Sequence, residues 1–174
     1  MIPTRLRALS LALLLLPVSG CGLVEVARGG FTVSISSESM EPTLKKGAHL
    51  SVRPIGDRVP RTGDIVVFRT PEGWTGTTAG AERVGRVIGI PESTVTCCDA
   101  DGRLELNGQP LDEPYIARPP ASDVTFDVRV PPGRLWIMND NRHVALDSRA
   151  HQGAPGNGTI EVTDVVGVID TSRR

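Results

Sequence analysis

Three serines stand close together ahead of a proline in residues 36–44, which read Ser-Ser-Glu-Ser-Met-Glu-Pro-Thr-Leu. Pro42 disfavours the helical region for the residue before it, which predicts extended or turn backbone around Ser39. A serine hydroxyl held in a fixed non-helical segment can be presented to a substrate, as a nucleophile must be. Clusters of Ser, Pro and Thr are also ordinary loop material, so composition alone leaves both interpretations open.

The composition favours one globular domain built from short strands. Hydrophobic residues make up 39% of the 174 residues and aromatic residues only 3%, so Val, Ile and Leu must fill most of the core. Nineteen glycines and fourteen prolines favour many turns over long helices. The net charge of -1, without a basic cluster, gives no support to a nucleic-acid partner.

Residues 1–21 have the features of an export leader. Arg5 and Arg7 precede an apolar run, residues 8–18, which is of signal-peptide length and too short for a comfortable membrane span. The run ends in Val-Ser-Gly-Cys, which resembles the bacterial lipobox and makes Cys21 the predicted site of lipidation. Alternatively, the run continues three residues past Cys21 as an uncleaved anchor helix. Both interpretations make membrane lipid a partner and place the domain outside the cytoplasm.

Cys97 and Cys98 remain as an even pair if Cys21 carries lipid. Adjacent cysteines can form only a vicinal disulfide, and in a strand their side chains point to opposite faces. A disulfide and two separate thiols therefore both stay open. Because no cluster of His or Cys accompanies them, we expect neither a metal nor another cofactor.

Apolar patterning predicts about nine strands and no helix. The Asp-Ala-Asp-Gly sequence after Cys98 predicts a hairpin turn, and the continuous apolar run in residues 64–68 indicates a strand buried on both faces. We therefore predict an all-β fold, with two sheets or a coiled barrel, as a single domain over residues 30–170. The predicted strands are residues 31–35, 49–52, 64–68, 84–90 (broken by Gly85), 94–98, 103–106, 124–130, 135–138 and 165–169.

Several separated segments, in this order, resemble bacterial type I signal peptidases. The resemblance covers nearly the whole chain after the leader, from about Val33 to Ile169. It implies a coiled all-β fold and a membrane-associated serine endopeptidase with a Ser–Lys dyad, which removes signal peptides from exported preproteins after small residues. The segments are residues 37–44 (Ser-Glu-Ser-Met-Glu-Pro-Thr-Leu), 63–68 (Gly-Asp-Ile-Val-Val-Phe), 86–91 (Arg-Val-Ile-Gly-Ile-Pro), 133–138 (Gly-Arg-Leu-Trp-Ile-Met), 141–142 (Asn-Arg) and 147–149 (Asp-Ser-Arg).

The resemblance assigns roles to several residues. Ser39 has the position of the nucleophile, and its backbone N–H would form the oxyanion hole together with the hydroxyl of Ser37. Asp147 and Arg149 match a pair that supports the architecture of the site in the family.

The chain departs from the family pattern at the general base. The family lysine immediately precedes the arginine of the strand that leads to Gly-x-Pro, and this chain has Gly85 there. Glycine cannot take a proton from serine, and the guanidinium of Arg86 does not deprotonate in proteins. Lys45 and Lys46 follow closely after Ser39 in a turn, where we expect them to be solvated, whereas a base lysine must be buried. His49 and His143 are conceivable bases, although surface or loop positions are expected.

Two further departures lie near the predicted site. Where the family has Gly-Asp-Asn-Arg, this chain has Asn139 followed by Asp140, Asn141 and Arg142. Such a glycine serves close backbone approach or positive φ, for which Asn is the commonest substitute. The family serine that hydrogen-bonds the base lysine corresponds to Ala145, so the lysine and the serine that orients it are lost together.

These departures leave two hypotheses. In the first, the chain is an active signal peptidase with an unrecognised base. In the second, it is a catalytically silent family member that keeps the groove and binds extended peptides or preproteins by strand addition.

Overall fold

The computed structural model describes residues 29–171, in which eleven strands form two antiparallel sheets. The proposed leader and Cys21 lie outside the described residues. Two short 3-10 helices, Ser148–His151 and Val162–Asp164, are the helical segments of this part of the chain. The strands are β1 (Phe31–Ser34), β2 (His49–Pro54), β3 (Ile65–Arg69), β4 (Glu82–Gly89), β5 (Thr94–Cys97), β6 (Leu104–Leu106), β7 (Gln109–Pro110), β8 (Phe126–Arg129), β9 (Arg134–Met138), β10 (Ile160–Glu161) and β11 (Val165–Ile169).

The larger sheet has the order β1-β2-β11-β3-β4-β9-β10. Its strand β3 lies between β11 and β4 and is buried from Ile65 to Phe68, which confirms the predicted two-sided burial. Successive side chains of a strand point to opposite faces of the sheet. Accordingly, Val66 and Phe68 belong to one hydrophobic cluster, and Ile65 and Val67 belong to another.

The smaller sheet has the order β7-β6-β5-β8. Strands β5 and β6 form the predicted hairpin, with Cys97 opposite Leu104. Asn107 and Gly108 both have positive φ, 54° and 74°, which a tight turn between β6 and β7 requires. Cys97 and Cys98 are joined by a disulfide, so the first of the two alternatives holds in this structure.

The all-β prediction is confirmed, with differences in detail. The two strands that the patterning missed, β7 and β10, have two residues each, too few for periodicity to appear. The predicted break at Gly85 is wrong, because β4 runs through this residue without interruption. Within residues 29–171, no helix has the length and apolar character needed to cross a membrane.

Candidate active site

Ser39 lies in a tight turn between β1 and β2, and the predicted turn backbone is confirmed. Two buried side chains, Met40 and Leu44, fix this turn to the core, and the backbone N–H of Leu44 donates to the carbonyl of Met40 at 2.8 Å. Asn141 fixes it from the other side, since its backbone N–H donates to the Ser39 carbonyl at 2.9 Å. Ser39 is half-buried and Ser37 is exposed, and their hydroxyl oxygens are 3.0 Å apart.

A second side chain contacts the hydroxyl of Ser39. Strands β4 and β9 are neighbours, and their pairing brings Asn139, just after β9, beside the turn. The side-chain nitrogen of Asn139 lies 3.0 Å from the Ser39 hydroxyl oxygen and 2.9 Å from the carbonyl oxygen of Val84. A carbonyl can only accept, so the NH₂ group of the amide is the side that faces both oxygens. The Ser39 hydroxyl is therefore an acceptor in this contact.

The space beside Gly85 is filled by other side chains. A Cβ atom at this position would clash with Cγ2 of Ile137, and it would lie 3.2 Å from Oδ1 of Asn139 and 3.5 Å from Cε1 of Phe68. The backbone of Asn139 does not have positive φ, so the expectation that Asn replaces glycine for that reason is wrong. Instead, its side chain approaches Gly85, where any residue with a Cβ would compete for the same volume.

No lysine takes part in the hydrogen bonds of Ser39. Lys45 and Lys46 are the only lysines in the sequence, and their side chains are 70% and 58% exposed. Each ammonium group lies 3.7 Å from a glutamate carboxylate, that of Glu41 for Lys45 and that of Glu38 for Lys46. Both lysines are thus on the surface, as the sequence predicted.

No histidine side chain hydrogen-bonds Ser39 within residues 29–171. His49 is exposed at the start of β2, and the ring of His143 contacts the carboxylate of Asp123 at 2.6 Å. His151 is buried and stacks on Trp74, with ring centroids 4.3 Å apart. Burial lowers the pKa of His151 below its ordinary value.

Three buried arginine–carboxylate pairs are present in the described part of the chain, and the first lies under the serine turn. Arg86 makes a two-pronged contact with Asp140, at 2.7 Å and 2.6 Å, and the side chain of Asp140 is completely buried. The same guanidinium donates to the Gly63 carbonyl and packs 3.8 Å from the centre of the Tyr115 ring. These contacts give Arg86 a structural role, because they hold its guanidinium against Asp140, Gly63 and Tyr115.

The second pair, Asp147 with Arg149, holds the backbone of Asn139. Asp147 accepts two side-chain hydrogen bonds from Arg149, at 2.9 Å and 2.8 Å, and one from the backbone N–H of Asn139, at 3.0 Å. Arg149 also donates to the carbonyl of Arg142. Ala145 lies in the loop between Asn139 and this pair, and it is half-buried.

The third pair was not foreseen from the sequence. Arg142 donates to both carboxylate oxygens of Glu113, at 2.5 Å and 3.4 Å, and to the carbonyls of Asn139 and Ala121. Glu113 lies in the irregular segment 110–122, and a carboxylate in a proline-rich loop carries no signal for a buried partner 29 residues away.

A groove of about 490 Å³ runs past the serines. One wall consists of β1 and the segment that follows it, and the other includes Glu82, Arg83 and Val84 at the start of β4. Because β2 is the one strand of residues 29–171 that pairs with β1, the second edge of β1 keeps backbone groups without a partner in this part of the chain. The groove therefore has an open strand edge next to two adjacent hydroxyls.

Comparisons with known proteins agree with this architecture. The signal peptidase family, peptidase S26, matches residues 8–172. The probable signal peptidase I of Mycobacterium leprae (strain TN) is 33% identical over 192 residues, covering 76% of this chain and 64% of that protein. The signal peptidase I of Mycobacterium tuberculosis (strain ATCC 25618 / H37Rv) is 35% identical over 184 residues, which cover 76% of this chain and 61% of that protein. The chain thus spans about three fifths of the length of these relatives.

A solved structure extends the comparison to the fold. The crystal structure of a signal peptidase I from Enterococcus faecalis V583 superposes with a TM-score of 0.51 at 26% sequence identity, covering 65% of this chain and 98% of that one. Strand pairing, the serine turn and the family match lead to one conclusion. The chain belongs to the signal peptidase family, peptidase S26.

Proposed function

We propose that this chain binds the signal-peptide segments of exported preproteins in the groove beside Ser39, and that it holds them without cleaving them. The observation that carries the second part is the hydrogen bond from the Asn139 amide to the Ser39 hydroxyl, at 3.0 Å. The relatives named signal peptidase I support the choice of signal peptides as ligands.

Binding follows from the open edge of β1. An extended peptide can add to such an edge as another strand, with main-chain hydrogen bonds for affinity and side-chain pockets for specificity. The groove lies along this edge and reaches Ser37 and Ser39. A small residue of the peptide would fit at the serines, where Met40 and Val84 also line the groove.

Silence follows from the environment of the hydroxyl. Serine is a weak nucleophile until a neighbouring base takes its proton. Gly85 supplies no base, and the side-chain amide of Asn139 donates to Ser39 instead of accepting from it. Arg86, which directly follows Gly85, cannot serve as the base either, because its guanidinium is paired with Asp140 and does not deprotonate in proteins.

Active signal peptide removal is the second candidate. The observation in its favour is the contact between the hydroxyls of Ser37 and Ser39, which keeps both residues of the proposed oxyanion hole and nucleophile together. An unrecognised base would then have to approach Ser39 when substrate is bound.

A cleavage and binding assay separates the two candidates. The full-length chain and its Ser39→Ala variant are mixed with a preprotein that carries a small-x-small cleavage site, and a cleavage-competent signal peptidase I serves as the positive control. We expect binding by both proteins and cleaved product from neither. Cleavage by the wild type that disappears in Ser39→Ala would reject the silent function, and absence of binding would reject the proposed ligand.

We also propose that Cys21 anchors the chain to lipid on the extracytoplasmic face of the bacterial membrane. The arginines and apolar run ahead of Cys21 support export, and the Val-Ser-Gly-Cys sequence supports lipidation. Mass spectrometry of the native N-terminus should find a lipid-modified Cys21. An unmodified chain that begins at Met1 would exclude lipidation and favour the uncleaved anchor.

A further inference from the structure

The two serine hydroxyls leave one hydrogen without an acceptor. The oxygen of Ser39 accepts from Asn139, and the pair Ser37–Ser39 can use only one of its two hydroxyl hydrogens for their mutual contact. Whichever serine donates to the other, the remaining hydrogen has no acceptor within residues 29–171. Since both serines line the groove, this hydrogen is available to a ligand there. Because hydrogen bonds in a chain strengthen one another, donation by the Asn139 amide also makes the remaining hydroxyl hydrogen a better donor to a ligand in the groove.

A positive charge lines the same groove. Arg83 lies on β4 two residues before Gly85, so the two positions share one face of the strand. The Arg83 side chain is half-buried, and within the described residues its guanidinium has neither a hydrogen bond nor an ion pair. Burial lowers the pKa of Arg83, and the more distant carboxylate of Asp147 acts in the opposite direction. A partly desolvated guanidinium without a partner favours an anion beside it.

The other charge on the groove does not cancel this one. Glu82 precedes Arg83 in β4, so its side chain leaves the opposite face of the strand, and it is exposed. Val84 lines the groove from the same face as Glu82, but the exposed Glu82 carboxylate is solvated, whereas Arg83 is half-buried. The groove thus offers a ligand two donors without a hydrogen-bond partner of their own among residues 29–171, a hydroxyl hydrogen and a guanidinium.

We propose that the groove recognises a carboxylate of the bound extended peptide, with the Ser37–Ser39 hydroxyls and the Arg83 guanidinium as its contacts. A carboxylate accepts charge-assisted hydrogen bonds from both groups, whereas a neutral amide carbonyl gains much less from the guanidinium. The proposal rests on the proposed function, because it assigns the chemistry of the same ligand. The carboxylate has two sources, the free C-terminus of a peptide that has already been cut and an Asp or Glu side chain within a longer one.

Fluorescence anisotropy with the full-length chain tests the proposal. Three labelled peptides share one small-x-small sequence. The first has a free C-terminal carboxylate and the second a C-terminal amide. The third also has a C-terminal amide but carries a Glu side chain within the sequence. We expect the free acid to bind at least about tenfold more tightly than the amide, as for a hydrogen-bonded charge. Tight binding of the Glu peptide identifies a side-chain source, and weak binding identifies the C-terminus.

Two variants and a control locate the contact. Arg83→Gln should remove the preference for the acid, and Ser37→Ala should reduce it several-fold without disturbing the fold, because Ser37 is exposed. Arg58→Gln removes the same charge from an exposed loop and should keep the preference.

The outcomes separate this proposal from the function on which it rests. Equal binding of acid and both amides by the wild type overturns the carboxylate site but leaves peptide binding intact. A preference that survives in both Arg83→Gln and Ser37→Ala, or is lost equally in Arg58→Gln, also overturns it. If none of the peptides binds, the proposed function itself fails.

Discussion

The amide of Asn139 joins the serine turn to β4, with its nitrogen 3.0 Å from the hydroxyl of Ser39 and 2.9 Å from the carbonyl of Val84. The oxygen of the same amide faces the position where a side chain at Gly85 would begin. Asn139 therefore occupies volume that a lysine at position 85 would need. Under the proposed correspondence with the family, positions 85, 139 and 145 change together, and the Asn139 amide fills the space beside Gly85.

Rebuilding the dyad should require more than the lysine. Gly85→Lys places a Cβ against Ile137 and Asn139, and such overpacking should lower the free energy of unfolding by about 1–3 kcal/mol. We expect this single variant to bind preprotein poorly and to produce no cleavage. Urea unfolding and the cleavage assay measure both effects, and Gly85→Ala separates the clash from the charge.

The triple variant Gly85→Lys, Asn139→Gly, Ala145→Ser should do better than any subset. Asn139→Gly makes room for the lysine, and Ala145→Ser adds the hydroxyl that the resemblance to the family places beside that lysine. We expect cleavage of the small-x-small preprotein, with complete loss when Ser39→Ala is added. If Gly85→Lys alone is as active as the triple variant, Asn139 does not block the base position.

Removing the Asn139 amide should cost stability. Asn139→Ala leaves the Val84 carbonyl and the Ser39 hydroxyl without the donor that a buried side chain supplies, so the free energy of unfolding should fall by about 1–3 kcal/mol. Asn141→Ala is the matched control, because its side-chain nitrogen makes a longer, exposed contact of 3.3 Å with the Glu38 carbonyl. Urea denaturation of both variants checks the difference, and equal losses would contradict the bridging role of Asn139.

Breaking the pair under the serine turn should be much more disruptive. Asp140→Asn leaves the guanidinium of Arg86 buried without its carboxylate, for an expected loss of about 3–5 kcal/mol in the free energy of unfolding. Lys45→Gln breaks a pair on the surface and should change stability little. Thermal and urea unfolding of both variants tests this contrast. Comparable losses would show that burial does not govern the strength of these pairs.

His151 should make the fold sensitive to mild acid. Its folded-state pKa lies below 6.5, because burial, and secondarily the charge of Arg83, disfavour protonation. As the pH falls through the unfolded-state value of about 6.5, the unfolded chain takes up a proton that the folded chain does not, so stability decreases. In His151→Gln, the decrease between about pH 7.5 and pH 5 should be smaller.

Urea midpoints across this range measure the effect, with His49→Gln as the control for loss of an exposed histidine. The difference between wild type and His151→Gln cancels the contributions of the carboxylates. If the two proteins lose stability in parallel, His151 does not provide the acid sensitivity.

Local pattern accounts for what could be predicted from the sequence. The alternation that indicates strands depends on neighbouring residues, so β3, the β5–β6 hairpin and the strand count were close to the observed fold. The family match likewise depends on short contiguous motifs. The two-residue strands β7 and β10 were missed because pairing, rather than their own sequence, makes them strands.

The sequence alone determined most of the strands and the serine pair, and the resemblance to the family predicts the base position at Gly85. Only the tertiary structure decided which side chain meets the Ser39 hydroxyl, because the contact between Ser39 and Asn139 spans 100 positions and depends on the register of β4 against β9. The same holds for Glu113 and Arg142, whose pairing depends on how an irregular loop folds back. Long-range side-chain contacts follow from strand register and packing, which short sequence patterns do not specify.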